Sequence, residues 1–407
     1  MAQFYAPIVG GEERMVQSLA TALAARGHEV AVATLRHAGS DTYEERDGVR
    51  IHRLGGLSHR ASGVYSDDGR RHAPPLPDPE TTLALRRVLA RERPDVVHGH
   101  NWLSIAYLPL ARSRERAYVL SLHDYSLVCA NKRMMRMGEP CSGPGPLKCV
   151  RCAADQYGLA VGPAVALAVR AAGFGQRRAV DMFLPVSRSV ATRSGLEEAG
   201  VDFEVVPNFV AERAAPEPFD AALLEQLPGE PFILYVGDLA ADKGIGVLLD
   251  AHARMHRPTP LVLIGRAADR EPLQPREGVV QLGLLPHGAV LEAWNRCALG
   301  VVPSITPDAF PTVALEAMSA SVAVLASRVG GLPEAVVEGE TGVLVPPGDA
   351  GALAEALDRL MDDPALRARL GAAGRERVPM FTAPAVVPRY EAAYERAREL
   401  RRARAAA

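Results

Sequence analysis

The sequence predicts an α/β protein made of two doubly wound, Rossmann-like domains that face each other across a cleft. Short runs rich in Val, Ile and Leu alternate with segments of helical period along most of the chain. This alternation is typical of βαβ units that build a mostly parallel sheet. It breaks once, near the middle, and then restarts. A chain of 407 residues also suits two domains of ordinary size.

The first half of the chain supplies the elements of one domain. Apolar residues at helical spacing predict a helix over residues 12–26, and a buried strand follows at 28–35. The same criteria predict strands at 95–98, 118–122 and 181–186, and helices at 81–92 and about 189–199. Only the short segment MAQFY precedes the first turn. We therefore expect the strand before the first helix to be truncated or missing.

A Pro-, Ala- and acid-rich segment at 211–231 is typical of a linker. After it, the pattern predicts strands at 232–236, 260–264, 279–282, 299–302, 322–326 and 342–345. Helices are predicted at 244–254, 287–295, 312–320, 332–337, 350–362 and 386–404. These boundaries predict one domain at 1–208, a second at 209–380, and a C-terminal helix within 381–407 that packs back across the domain junction.

Charge and hydropathy exclude several classes of protein. The net charge is −2, with 46 basic and 48 acidic residues, so bulk electrostatic affinity for nucleic acid is not expected. The longest apolar stretch, at 159–169, is interrupted by Gly162 and Pro163 and is too short to span a bilayer. No secretion signal is recognisable at the N-terminus. We therefore expect a cytoplasmic protein.

The segment 158–178 is rich in Ala and Val and ends in three arginines, Arg170, Arg177 and Arg178. One interpretation is an interfacial helix that touches anionic lipid, as in a protein peripheral at the inner face of a membrane. The other is an ordinary amphipathic helix of the surface or core. The sequence leaves both open, and it leaves the oligomeric state open as well.

Four of the five cysteines cluster at Cys129, Cys141, Cys149 and Cys152. A Cys-x-x-Cys pair with two further thiols suits a structural zinc ion or an iron–sulfur cluster. Free thiols and disulfides are the alternatives, with disulfides disfavoured in a cytosolic chain.

Ligands of doubly wound sheets bind beyond the carboxyl ends of the strands, where loops enter helices. Gly10–Gly11 lies directly before the first helix and would let a phosphate approach its N–H groups, although a plain tight turn fits equally. After the strand at 232–236, Gly237 enters a loop and Lys243 opens the next helix. Lys243 could neutralise a pyrophosphate as a point charge, or it could be a solvated lysine.

The segment Asp308-Ala-Phe-Pro-Thr-Val-Ala-Leu-Glu316 is the most informative motif. Pro311 suits the first turn of a helix, so a helix N-terminus is expected between the two carboxylates. In that arrangement the two carboxylates could accept hydrogen bonds from sugar and ribose hydroxyls while the helix N–H groups bind phosphate. The alternative is that Asp308 only caps the helix and Glu316 is exposed.

Several motifs together resemble a known family. The chain carries, in order, GG-E near its start, VSRS at 186–189, VPN at 206–208, VGDLAADKG at 236–244, DAFPTVALEAM at 308–318, GGLPE at 330–334 and GETGVLVPPGD at 339–349. This order resembles the GT-B retaining glycosyltransferases of family 4, and the resemblance covers nearly the whole chain. It implies transfer of a sugar, with retention, from a nucleotide-diphosphate donor. The acceptor, a glycan, a lipid or a small metabolite, would be held by the N-terminal domain.

The resemblance also implies roles for individual residues. Asp308 would bind donor-sugar hydroxyls, Glu316 the ribose, and Lys243 the departing diphosphate, while His123 matches the place of an active-site histidine. The implied donor-binding residues are Gly11, Gly237, Arg266, Leu285, Phe310, Pro311, Thr312 and Val313. No cofactor is implied for catalysis, and no Asp-x-Asp pair occurs in the chain, so a metal-independent reaction is expected. Polysaccharide biosynthesis is one of the roles that this class implies.

Three departures from the family pattern matter for activity, one of which is the truncated or missing first strand. The family usually has Arg after the glycine at 237, whereas this chain has Asp238. We hypothesise that Arg266 replaces that cation. Asp308 stands where Glu is commoner, which shortens its reach. Two rival functions therefore remain: a nucleotide-sugar epimerase of the same fold, and a catalytically silent nucleotide-sugar-binding protein.

Three histidines end predicted strands of the first domain. His98, His100 and His123 each stand at or just after a strand's carboxyl end, where an imidazole could orient a hydroxyl group. Because neighbours on a strand alternate in direction, one of His98 and His100 is expected to pack inward.

Overall fold

The computed structural model describes residues 1–6, 10–37, 39–56, 72–111, 116–210, 218–267 and 274–406. The first part of the predicted linker, residues 211–217, therefore lies outside the described residues. The chain divides into two compact units. Unit 1 contains Met1–Met134, Ser142–Pro207 and Ala383–Ala407, and unit 2 contains Met135–Cys141 and Asn208–Thr382.

The strands of the chain are short. They are β1 (Val30–Leu35), β2 (Tyr43–Arg46), β3 (Val49–Leu54), β4 (Val96–His100), β5 (Ala117–Leu122), β6 (Met135–Arg136), β7 (Glu139–Pro140), β8 (Met182–Pro185), β9 (Ile233–Val236), β10 (Leu261–Ile264), β11 (Val279–Gly283), β12 (Leu299–Val302), β13 (Val324–Ser327) and β14 (Gly342–Val345).

The α-helices mostly lie between parallel strands. They are α1 (Gly11–Ala25), α2 (Pro79–Glu92), α3 (Pro146–Tyr157), α4 (Gly162–Ala179), α5 (Arg188–Arg193), α6 (Ile245–His252), α7 (His287–Arg296), α8 (Thr312–Ser319), α9 (Leu332–Ala335), α10 (Ala350–Asp362), α11 (Pro364–Arg377) and α12 (Ala383–Ala406). Short 3₁₀ segments lie at Trp102–Leu110, Ala221–Leu224, Ala241–Lys243 and Val378–Phe381. No helix among the described residues is long and apolar enough to cross a membrane.

Unit 2 is built on one six-stranded sheet. The strand order is β11-β10-β9-β12-β13-β14, and every adjacent pair is parallel. Strands β9, β10 and β12–β14 are continuous apolar runs because helices cover both faces of such a sheet. Their side chains form a core with α6 and α10, in which Leu248 and Leu357 are fully buried. This is a doubly wound arrangement, with the strand order reversing beside β9.

Unit 1 contains two three-stranded sheets, β1-β3-β2 and β4-β5-β8. The N-terminal residues fill the place between them. Ala2 N donates to Ala33 O at 3.0 Å, Leu35 N to Gln3 O at 3.3 Å, and His100 N to Met1 O at 2.8 Å. No strand forms in residues 1–6, so the expected truncation of the first strand is confirmed. A segment of about three residues still bonds both neighbouring strands.

Helix α12 belongs to unit 1 and is anchored there by charge. The carboxylate of Asp181, just before β8, is fully buried and lies 2.9 Å from Arg401 Nε and 3.1 Å from Arg404 Nη1. It also accepts from Tyr118 N at 2.8 Å. Two cations and a backbone donor offset part of its desolvation, although burial still raises the pKa of this carboxyl above its usual value. Nearer the start of α12, Glu391 binds Arg26 bidentately at 2.7 Å.

Candidate functional site

Lys243 and Asp308 meet beyond the carboxyl ends of β9 and β12. Lys243 ends the 3₁₀ segment Ala241–Lys243, and its Nζ forms an ion pair with Asp308 Oδ1. The other carboxylate oxygen, Oδ2, accepts a hydrogen bond from Ser304 Oγ. The Asp308 side chain is 11% exposed and that of Lys243 is 35% exposed. Both oxygens of a nearly buried carboxylate are thus held, and the ammonium keeps a face open to solvent.

Close backbone contacts fix the loops that carry this pair. Gly244, directly after Lys243, has φ +76°, and a Cβ there would lie 1.9 Å from Pro303 O. Gly330 has φ +61°, and a Cβ there would lie 2.0 Å from Asp308 O. Only glycine combines the left-handed conformation with this clearance. The motif glycines therefore place the loops of Lys243 and Asp308 against their neighbours.

The N-terminus of α8 lies immediately beyond Asp308. Its N-cap is Pro311, and no side chain caps the helix, so the N–H groups of the first turn have no partner within the helix. Phe310 is buried, and its carbonyl accepts from Asn208 Nδ2 at 3.1 Å. Thr312 and Val313 begin the helix and are half-buried. The capping role for Asp308 is not seen, and the helix end is free to bind an anion.

Glu316 is one turn further along α8 and is not exposed to solvent as a surface residue would be. Its Oε1 lies 3.1 Å from His287 Nε2, and the two side chains are 13% and 19% exposed. His287 is the first residue of α7. A carboxylate fixed by an imidazole in this way can accept hydrogen bonds from two neighbouring hydroxyl groups.

The predicted substitute cation, Arg266, lies beside the residue whose charge it would offset. Its Nε is 3.6 Å from Asp238 Oδ1, and both side chains are largely exposed. Gly237 directly follows β9, and its N–H donates to Ile264 O at 2.9 Å, which aligns the loops after β9 and β10. Leu285, just before α7, is half-buried. The donor-binding residues predicted for the C-terminal half thus all belong to loops or helix starts of unit 2.

Unit 1 brings its three histidines together. His100 Nδ1 lies 2.9 Å from His123 Nε2, and the two rings stack. His98 lies 4.2 Å from His100, centroid to centroid, and bonds to Ser121 Oγ and Tyr394 OH. Burial holds the pKa of both His98 and His100 well below the usual histidine value. Both rings are therefore neutral at pH 7 and can orient a neighbour but not supply charge.

Glu12 follows the predicted phosphate-binding Gly11 at the start of α1. Asn101 Nδ2 donates to Glu12 Oε1 at 2.6 Å. Burial, followed by the negative charge of Asp124, raises the pKa of Glu12 to about 8. An acid that is protonated at neutral pH and lies on the first turn of a helix disfavours a second anion much less than a carboxylate would.

One asparagine links two of the four predicted metal-binding cysteines. Cys129 Sγ donates to Asn131 Oδ1 at 2.8 Å, and Asn131 Nδ2 donates to Cys152 Sγ at 3.6 Å. Cys149, on the same helix as Cys152, accepts from Gly145 N at 3.2 Å. None of the five cysteines, all of which lie in the described part of the chain, forms a disulfide. The described residues hold no group of three or more His, Cys, Asp or Glu side chains placed to bind a metal. The metal site stays a prediction.

Sequence reasoning missed several residues that position the site, namely Ser304, His287, Asn208 and Asn101. Three of them had a signal in the sequence. Ser304 stands four residues before Asp308, His287 opens a helix directly after a turn, and Asn208 ends the VPN motif at 206–208. Asn101 contacts Glu12 across 89 residues of chain, so no local pattern could reveal it.

Family comparisons agree with the geometry of both units. The family described as "Glycosyl transferase 4-like domain" matches residues 10–208, and "Glycosyl transferases group 1" matches residues 222–377. A glycogen synthase from Mycobacterium tuberculosis is 30% identical, over 92% of this chain and 88% of the relative. A D-inositol 3-phosphate glycosyltransferase from Pseudarthrobacter chlorophenolicus is 28% identical, over 95% and 91%.

Solved structures show the same architecture. A sucrose-phosphate synthase from Thermosynechococcus elongatus superposes with a TM-score of 0.71 at 24% identity, over 95% of this chain and 93% of the other. The HepE protein of Anabaena, solved with UDP-glucose, gives 0.68 at 17%, over 97% and 98%. The predicted fold class is confirmed. The chain belongs to the GT-B glycosyltransferases, in which a glycosyl transferase 4-like domain precedes a group 1 domain.

Proposed function

We propose that this chain transfers a sugar, with retention of anomeric configuration and without a catalytic metal, from a nucleotide-diphosphate donor to a hydroxyl acceptor. The observation that carries the proposal is the arrangement around α8. A lysine, an uncapped helix N-terminus and two fixed carboxylates, Asp308 and Glu316, all lie in one unit. Each part matches a different portion of a nucleotide sugar.

The diphosphate would lie against the N–H groups of α8 and the Nζ of Lys243. As the bond between the sugar C1 and the phosphate oxygen breaks, its electron pair passes to the diphosphate. The acceptor oxygen bonds to C1, and its proton is taken up by the leaving diphosphate. Negative charge grows on the diphosphate at the transition state, so a fixed cation and helix end stabilise that state more than the bound donor.

The two carboxylates would hold the hydroxyl groups on either side of the diphosphate. Glu316, fixed by His287 at 3.1 Å, would accept from the ribose hydroxyls. Asp308 would bind donor-sugar hydroxyls when the donor draws Lys243 toward the phosphate. The base would lie near Gly265 and Leu285, where β10 and β11 end.

The charge reversal at Asp238 is the main argument for a silent binder. Arg266 lies 3.6 Å from Asp238, so the pair has no net charge and Asp238 adds little repulsion to a diphosphate. We infer that Lys243 and the helix N-terminus suffice for turnover.

The acceptor would be oriented in unit 1 by His123. The neutral ring of His100 fixes the position of His123 through a hydrogen bond.

The names of the relatives support a nucleotide sugar as donor. HepE is solved with UDP-glucose, and a starch synthase from Arabidopsis thaliana with ADP and acarbose. The curated relatives named above act on glycogen and on inositol phosphate. We propose an acceptor that is a glycan, a lipid-linked glycan or a polyol, as in the synthesis of a polysaccharide.

The experiment is acceptor-dependent turnover. UDP-, ADP- and GDP-sugars are incubated with the chain and a panel of glycan, lipid and polyol acceptors, and free nucleoside diphosphate is measured. A transferase releases it with one donor and only when an acceptor is present, and the product keeps the donor's anomeric configuration in its NMR coupling constants. Conversion of the donor sugar without an acceptor would instead establish an epimerase, and donor binding without any turnover a silent binder.

A further inference from the structure

Helix α4 in unit 1 presents an apolar row to solvent. Ala164, Leu167, Ala171 and Phe174 recur at helical spacing, and all four are exposed. Leu167 is 63% exposed and Phe174 is 59% exposed. The opposite face of the helix, which includes Val169, is buried. The helix is therefore apolar on both its inner and its outer face.

The apolar surface continues into the segment before α4 and onto α3. Leu159 is 87% exposed, and Val161, Leu147 and Tyr157 are exposed as well. The two helices lie close together, since a Cβ at Gly162 would be 2.4 Å from the backbone of α3. Exposed apolar side chains of this number in one region mark an interaction surface rather than ordinary surface composition.

Positive charge surrounds this apolar surface. Between residues 141 and 180 the chain has five basic residues and one acidic residue, Asp155. Arg170 is exposed, and the guanidinium of Arg178 lies 4.0 Å above the Phe174 ring. Within the described residues no carboxylate pairs with Arg170 or Arg178. Long basic side chains beside apolar ones can keep their charge at the level of lipid headgroups while their stems remain in contact with the apolar side chains.

We propose that the exposed face of α3 and α4 binds the surface of an anionic lipid bilayer. The α4 helix would lie in the plane of the membrane, with Leu167 and Phe174 in the interfacial region and Arg170 and Arg178 among acidic headgroups. The excess of arginines without a carboxylate partner among the described residues indicates that the lipid layer carries negative charge. The proposal is independent of the sugar chemistry.

Another helix of unit 1 provides a matched control. On α2, Leu83 is 55% exposed, and Arg86 is exposed one turn later. On α2 this leucine is surrounded by charged residues of both signs, which include Glu80 and Arg87. An isolated exposed leucine is ordinary surface composition, so we expect no lipid binding by α2.

The experiment is sedimentation of the full chain with sucrose-loaded vesicles, either of pure phosphatidylcholine or of phosphatidylcholine mixed with phosphatidylglycerol, whose acidic headgroups give the surface a negative potential. Three double variants accompany the parent chain: Leu167→Gln with Phe174→Gln, Arg170→Gln with Arg178→Gln, and the control Leu83→Gln with Arg86→Gln. Circular dichroism and thermal melting establish that each variant is folded.

We expect the parent chain to bind acidic vesicles and not neutral ones, and salt at 1 M, where the screening length is about 3 Å, to release it. Loss of two arginines is expected to weaken partitioning about 25-fold, at about fivefold for each basic side chain. Loss of the two apolar side chains is expected to weaken it at least about tenfold. The α2 control should bind like the parent.

Absence of binding to acidic vesicles would overturn the proposal whatever the variants do, and would leave a protein as the partner of this face. Equal binding to neutral vesicles would contradict the role of the arginines. If the α2 control variant lost vesicle binding as strongly as the α4 variants, that result would contradict the assignment of the lipid-binding surface to α4. Since the parent chain alone decides the first outcome, a variant that fails to fold leaves the test valid.

Discussion

Replacement of Lys243 by Ala removes the cation that we place against the leaving diphosphate. The ammonium is tied to Asp308 and is 35% exposed, so its electrostatic effect is partly screened. Two unit charges about 4 Å apart interact by about 4 kcal/mol at an effective dielectric constant of about 20. Loss of one preorganised charge or donor at a reacting group typically lowers kcat about 10²–10³-fold.

We therefore expect Lys243→Ala to lower kcat about 10²-fold, which corresponds to about 3 kcal/mol. The donor KM should rise less, because the charge on the diphosphate is greater in the transition state than in the bound donor. Asp308 keeps its bond from Ser304 but loses its ion pair, so the melting temperature should fall as well. The assay is the initial rate of nucleoside diphosphate release at saturating donor and acceptor, below the melting temperature of the variant.

Arg276→Ala is the matched control. Arg276 Nη1 lies 3.7 Å from Asp250 Oδ1 in the same unit, and both side chains are about half exposed. Exposed pairs of this kind contribute about 0–1 kcal/mol to stability, and no part of the proposed chemistry uses this one. A kcat of Lys243→Ala within about threefold of the Arg276→Ala value would refute the assignment of Lys243 to the diphosphate.

Three further predictions concern the donor, the pH dependence and the backbone. Arg266→Ala should weaken donor binding about tenfold by leaving Asp238 unopposed, and unchanged affinity in calorimetry would end the hypothesis that Arg266 replaces the family's arginine. Because burial raises the pKa of Glu12 from 4.5 to about 8, the folded state holds that proton more tightly, and the free energy of unfolding should fall as pH rises between these values. Glu12→Gln should remove this pH dependence, which is at most about 1.4 kcal/mol per pH unit. If urea titrations gave the variant the same change of unfolding free energy with pH as the parent, the raised pKa of Glu12 would be contradicted. Gly244→Ala should cost at least about 3 kcal/mol, because its Cβ would lie 1.9 Å from a carbonyl oxygen. Gly246→Ala, in open space on α6, should gain about 0.5–1 kcal/mol, and equal denaturation midpoints for the two variants would contradict this account.

Most of the second unit was predictable because its strands are continuous apolar runs. Strands β12 and β14 and helix α10 have the predicted limits, and the other predicted elements differ by a few residues. Helix α11 (Pro364–Arg377) was not predicted. Buried parallel strands and their covering helices follow from local sequence pattern, which is strong when both faces of the sheet are covered.

In the first unit, helix α5 ends earlier than predicted. It ends at Arg193 because Gly195 takes a left-handed conformation at φ +62°.

The hairpin of β2 and β3 was missed although its turn had a signal. Asp47 and Gly48 have φ values of +53° and +75°, as Asp-Gly has in the tight turns of hairpins. The alternation of βαβ units gave no place for an antiparallel strand, so the turn was overlooked. The hydrogen bonds of the N-terminal segment were missed for another reason, since they join it to strands that follow it by some 30 and 95 residues.

The candidate site was predictable in its residue types but not in its contacts. Motif spacing singled out Lys243, Asp308 and Glu316, and the resemblance to the family implied a separate role for each of them. The structure pairs Lys243 with Asp308 and Glu316 with His287. Those pairings depend on how the loops after β9, β11 and β12 converge at one edge of the sheet, which sequence spacing alone does not specify.

The most direct test of the central claim is donor binding by the parent chain and by Glu316→Ala, measured as a shift of the melting temperature across a panel of UDP-, ADP- and GDP-sugars. A donor at about 100 times its Kd should stabilise the parent by about 2.7 kcal/mol, a shift of a few degrees. We predict that one donor gives this shift and that Glu316→Ala abolishes it, because the variant loses the ribose contact. A panel in which no donor shifts the parent, or in which Glu316→Ala responds as fully as the parent, would contradict the assignment of the α8 site to a nucleotide sugar.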